Sequence, residues 1–104
     1  MKEVKAFIRP EKLTKLAEHL KKENFCCFSI FEGEGVGNYS DPTTKFPSLK
    51  HPFLHNQIIK VEIVCNKEEV EDVVRVIKKY AQTGERGDGL IYVVNVEQKI
   101  RIRD

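Results

Sequence analysis

No apolar run in this chain of 104 residues approaches the ~18 residues that a membrane-spanning helix needs. Charge of one sign is also lacking: 18 Lys and Arg face 16 Asp and Glu, a net +2 with both signs mixed. Such a balance describes a solvated surface and argues against a nucleic-acid partner. The opening MKEVKAFIRP has no apolar signal region, so a soluble, cytoplasmic protein is expected. The three cysteines, Cys26, Cys27 and Cys65, are an odd number without a CxxC spacing. Their apolar, strand-like contexts predict buried thiols rather than a disulfide framework or a metal clip. A Walker A run, a Ser/His/Asp arrangement and a metal-ligand cluster are missing as well, so no catalytic residue is nominated. His51 and His55 stand four apart, but Pro52 between them opposes one helix through both, and no metal site is expected there.

What is present fits one domain spanning residues 1–104. A chain this short buries only about two-thirds of its unfolded surface, so association with further copies would help it. Residues 3–9 alternate, with Val4, Ala6 and Ile8 on one face, and read as a strand. Pro10 suits the first turn of a helix, and Leu13, Leu16, Ala17 and Leu20 form one apolar stripe. Residues 25–31 are aromatic and β-leaning, a second strand. Residues 33–57 then change character, with Gly33, Gly35, Gly37, Pro42, Pro47 and Pro52 and no useful period. A loop this long in a compact domain is commonly functional. Phe46, Leu49, Phe53 and Leu54 within it either fold back on the domain or wait for a partner.

Residues 58–65 alternate strongly and form a third strand. Asn66 with Glu69 three residues on predicts a capping box. Val70, Val73, Val74, Ile77 and Ala81 are the cleanest helical stripe, which Thr83-Gly84 ends. Glu68, Glu69, Glu71 and Asp72 suit the positive end of that helix and require no site. Tyr39, Tyr80 and Tyr92 are expected to pack. Residues 90–94 and 99–103 read as a fourth strand and a short terminal strand. The order is βαββαβ, an α+β ferredoxin-like fold with an antiparallel sheet and both helices on one face. The other face is expected to carry Val, Ile and Phe side chains that need a cover, which points to an oligomer.

The chemistry concentrates in Thr83-Gly84-Glu85-Arg86-Gly87-Asp88-Gly89 and in Ile100-Arg101-Ile102-Arg103. Glycines let backbone N–H groups approach an anion, and two arginines at period two on a strand point the same way. Together they read as a phosphate cradle closed by guanidinium groups. The plainer readings are a glycine helix cap and an edge strand guarded by basic residues.

Thr-Gly-x-x-Gly-Asp-Gly with Ile-Arg-Ile-Arg further on resembles the signature of PII signalling proteins, trimeric nucleotide sensors of nitrogen and carbon metabolism. The opening Val4-Lys5-Ala6-Phe7-Ile8-Arg9-Pro10 and the strand Lys60-Val61-Glu62-Ile63-Val64 are similar to that family too, so the likeness runs over nearly the whole chain. The resemblance implies a homotrimer that binds ATP or ADP, with or without Mg, in clefts between subunits. Gly87, Asp88 and Gly89 would surround the phosphates, and Arg101 and Arg103 would neutralise them from the adjacent strand. Gly35, Val36, Gly37 and Asn38 would border the nucleotide. Ser29, Glu62 and Val64 would line the adenine and ribose side. The loop 33–57 would dock on a target protein such as a membrane transporter or a metabolic enzyme.

This chain departs from the family at four places. Tyr39 stands for a glutamine that helps hold Mg and 2-oxoglutarate. Ile58 stands near where a lysine pairs with 2-oxoglutarate. Leu90 stands for a lysine that reaches the phosphates. His51 stands for the tyrosine that is uridylylated. Two other classes remain open on the residues alone: a small ferredoxin-like enzyme, and a metal-handling trimer of similar fold using His51, His55 and Cys65.

Overall fold

The computed structural model describes residues 1–25, 27–36, 46–47 and 54–103. The strands are β1 (Lys2–Ile8), β2 (Phe28–Gly35), β3 (Phe46–Pro47), β4 (Leu54–Cys65) and β5 (Leu90–Asn95). The helices are α1 (Leu13–Lys22) and α2 (Val70–Ala81), each entered through a short 3-10 turn, Pro10–Lys12 and Lys67–Glu69. The sheet order is β2-β4-β1-β5, antiparallel throughout, with β3 paired to the start of β4. Leaving β3 aside, this is the expected ferredoxin-like βαββαβ arrangement.

Alternation decides which side chains meet the helices. Val4, Ala6 and Ile8 of β1 and Ile59, Val61, Ile63 and Cys65 of β4 are buried, and Leu16, Leu20, Val73, Val76, Ile77 and Ala81 pack onto them. Val76 is part of the core although it lies outside the stripe expected for α2. The Asn66 capping box forms: its side chain accepts from the backbone of Glu69, and the Glu69 carboxylate accepts from the Asn66 N–H at 2.9 Å. Tyr80 lies between the helices, stacked on His19 with ring centroids 3.6 Å apart.

Several expectations need correction. The second strand is shifted towards the C-terminus, from 25–31 to Phe28–Gly35. The chain turns at Asn24, whose φ of 68° lies in the left-handed region, and only then extends. Glu32, Gly33, Glu34 and Gly35 pair with Ile59, Ile58, Gln57 and Asn56, so the hairpin ladder reaches into what reads as loop. Glycine and glutamate are weak strand formers, and cross-strand pairing overrides that preference. Phe46–Pro47 is a further short strand. Cys65 is buried, and burial, aided by the charge of Glu69, pushes its thiol pKa up. Cys27 is exposed, contrary to expectation, and Cys26 lies outside the described residues. The terminal strand at 99–103 is not formed: no residue there joins the sheet.

The face away from the helices is set by the register. It carries Glu3, Lys5 and Phe7, then Ile58, Lys60, Glu62 and Val64, then Ser29 and Phe31, then Leu90, Tyr92 and Val94. The predicted Val, Ile and Phe residues are there, but a charged strip runs between them. Lys60 pairs with Glu62 at 3.2 Å and Lys5 with Glu3 at 3.6 Å. Phe31, Leu90, Tyr92 and Val94 are all exposed.

Candidate functional site

Helix α2 stops at Ala81, with Gln82 already extended at φ −81° and ψ 149°. The cap is therefore not a glycine, and Gly84 is not explained as one. From Thr83 the chain enters a turn with positive φ at all three glycines: 85° at Gly84, 89° at Gly87 and 118° at Gly89. Gly89 is further constrained, because a Cβ there would lie 1.7 Å from the carbonyl oxygen of Phe7. The turn thus runs against the backbone of β1, where only glycine fits.

Asp88 holds this turn together. Its Oδ2 accepts from the backbone N–H of Thr83 at 2.8 Å and of Gly84 at 3.0 Å. Its Oδ1 accepts from the Thr83 hydroxyl and from Nε of Arg9 at 2.9 Å. Arg9, just past the end of β1, also donates from Nη2 to the carbonyl of Arg86 at 2.7 Å. The Thr83 hydroxyl in turn accepts from the Glu85 N–H at 3.0 Å. Burial pushes the Asp88 carboxyl up, but the hydroxyl and amide of Thr83, Arg9 and the Gly84 amide outweigh it and hold the pKa at about 2 against 3.8.

A cavity of about 310 Å³ opens beside this turn. Ile8, Ile77, Ala81 and Ile91 give it apolar walls, and Asp88 and Gly89 stand at its margin. A second, of about 350 Å³, lies at the base of the β2–β4 hairpin between Pro10, Glu32, Glu34 and Ile58.

The expected site residues fall into separate places. Gly87, Asp88, Gly89 and Leu90 form the turn and the start of β5 at one sheet edge. Ser29 and Glu62 are direct cross-strand partners on the open face, with Val64 two residues further along β4. Gly35 ends β2 at the opposite edge, and exposed Val36 comes next. Three strand spacings of about 4.8 Å separate these edges, roughly 14 Å. Arg101 and Arg103 are exposed in the tail, which leaves β5 at the end of the sheet away from the turn. Gly37, Asn38, Tyr39 and His51 lie outside the described residues.

Arg9 escaped the sequence reading as a site residue. Its contact with Asp88 spans 79 positions, and a basic residue before a proline carries no local sign of it. Among the described residues no group of three or more His, Cys, Asp or Glu side chains is placed to hold a metal. No helix of the described residues is long and apolar enough to cross a membrane.

Comparison with known proteins places this geometry. The family described as nitrogen regulatory protein P-II matches residues 1–104. The chain belongs to the P-II family. It is similar to the nitrogen regulatory protein P-II of Nostoc punctiforme, 38% identical over 103 residues that cover 99% of this chain and 92% of that one. The P-II 2 protein of Methanothermobacter thermautotrophicus is 37% identical, covering 99% and 90%. The P-II protein of Mesorhizobium japonicum is 33% identical, covering 99% and 92%. The ferredoxin-like fold is therefore that of a P-II regulatory signalling protein.

Proposed function

We propose that this P-II protein is a cytoplasmic, non-enzymatic sensor that binds an adenine nucleotide, ATP or ADP, between the subunits of a homotrimer. The observation that carries the reading is the turn at 83–89, fixed against β1 by bonds within the protein from Asp88 and Arg9. Glycine backbone at positive φ brings N–H groups to the surface where phosphate oxygens are bound. Arg101 and Arg103 supply cations beyond the single Arg86 of the turn.

Within one chain those arginines start from the wrong end of the sheet, and their own segment joins no strand. Ser29, Glu62 and Val64 also lie away from the turn's edge. A site that uses all these residues is completed by a neighbouring copy, and the open face with Phe31, Tyr92 and Val94 is the surface such copies cover. Leu90 in place of a phosphate lysine leaves fewer cations, which favours the lower-charged ADP.

The output is a population shift. The nucleotide prefers one arrangement of the segment 33–57 and so changes its affinity for a target protein, a transporter or a metabolic enzyme. Calorimetric titration with ATP and ADP, each with and without Mg, tests the reading. One nucleotide site per chain is expected, with binding lost in Arg101→Ala/Arg103→Ala. Absence of binding to either nucleotide overturns it.

A further inference from the structure

We infer that Arg9 and Thr83 are the positioning residues of the nucleotide turn, acting through Asp88, and that the Asp88 carboxylate itself makes no contact with the ligand. This rests on the nucleotide reading above and deepens it. A carboxylate offers about four acceptor positions. Asp88 has four donors: the Thr83 amide, the Gly84 amide, the Thr83 hydroxyl and Arg9 Nε. Its acceptor capacity is therefore spent within the protein. An anionic ligand would meet only its negative charge, which Arg9 offsets at 2.9 Å.

The donors come from both sides of the turn. Thr83 and Gly84 lie at its entrance, directly after α2. Arg9 comes from just past the end of β1, the strand that Leu90 pairs beside through Phe7. Arg9 also grips the carbonyl of Arg86, in the middle of the turn. Three points of the loop are thus tied to one guanidinium and one carboxylate. The Arg9 side chain is only 12% exposed, which leaves it little freedom to leave this position. Bonds within the protein that hold a loop in one conformation leave less conformational freedom to be lost on binding, so the latch acts on affinity without touching the nucleotide.

The test compares Thr83→Val, Thr83→Ser, Arg9→Ala and Arg9→Lys with the wild type. Two quantities are read: the dissociation constant for ATP and ADP, and amide hydrogen exchange at Gly84 and Glu85 in the nucleotide-free protein. Thr83→Val and Arg9→Ala should raise the dissociation constant about tenfold or more. Thr83→Val should also speed exchange at Glu85, whose N–H loses its acceptor. Thr83→Ser keeps the hydroxyl and should restore both, a rescue that a purely packing role does not predict. Arg9→Lys, with no planar fork to reach both partners, should recover only part of the loss. Thr83 is exposed, so its variants should fold and keep the latch testable if Arg9→Ala does not. Wild-type binding with equal binding by Thr83→Val and Arg9→Ala overturns the latch alone. A wild type that binds neither nucleotide overturns the functional reading and the affinity claim with it.

Discussion

Residues 83–89 and residues 99–103 each read as half of one anion site, yet the fold treats them differently. In the turn, every glycine has a positive φ and Asp88 is bound on both oxygens. In the tail, Ile100 is 78% exposed and Ile102 fully so, and the arginines between and beyond them join no strand. The same kind of signal, small or basic residues at fixed spacing, thus corresponds to a finished structure in one place and an unsupported one in the other. The physical difference is the partner. The turn lies against the Phe7 carbonyl and the Arg9 guanidinium of its own chain, whereas the tail leaves the sheet beyond β5. A strand is stable only with a ladder beside it, and the tail has none among the described residues of its own chain.

Substitutions can break that contrast. Gly89→Ala should cost the most, about 3 kcal/mol, because its Cβ would overlap the Phe7 carbonyl and its φ of 118° is strained for alanine. The midpoint of urea unfolding measures this. A loss no greater than that of an ordinary surface change would show that the turn can move off β1.

Asp88 should come second, at about 2 kcal/mol, and its contribution depends on pH. Its folded pKa of about 2 is below the ordinary 3.8. The stabilisation is therefore complete above about pH 4 and is lost as pH falls through 2. Wild-type stability should show this loss between pH 4 and 2 on top of that from other carboxylates, and Asp88→Asn should lack it. Equal pH profiles for the two would contradict the clamp.

Gly84→Ala should cost less, about 1 kcal/mol, since φ is 85° but nothing lies within 4 Å of the added Cβ. Arg101→Ala/Arg103→Ala should change stability least, within about 0.5 kcal/mol in the nucleotide-free protein, because the side chains are exposed. A large loss there would mean that the tail is as firmly held as the turn.

The sequence was legible where structure is local and periodic. The α2 stripe, the Asn66–Glu69 capping box and the alternation of β1 each depend on neighbours within a few residues. The glycine turn was legible as a place, but its reason was only half visible. The approach to Phe7 and the bond to Arg9 join residues about 80 positions apart, and no local pattern records them. The second strand was misplaced because Glu32-Gly33-Glu34-Gly35 has poor strand propensity and is held by pairing with β4. The tail alternates like a strand, and alternation alone does not supply a partner. The motif reads as a unit in the sequence, whereas the bonds divide it: glycines for the backbone path, the aspartate carboxylate for the clamp.

The central claim is that the turn of one chain and the tail of another make one nucleotide site. Co-assembly of two defective chains tests it most directly. One chain carries Asp88→Ala and the other Arg101→Ala/Arg103→Ala, and each alone should bind ATP and ADP poorly. Co-expressed and purified as mixed trimers, they should regain about a quarter of the wild-type sites at near wild-type affinity, the fraction that random assortment gives an intact turn beside an intact tail. Mixed assemblies that recover no sites would contradict the shared site and place both halves within a single chain.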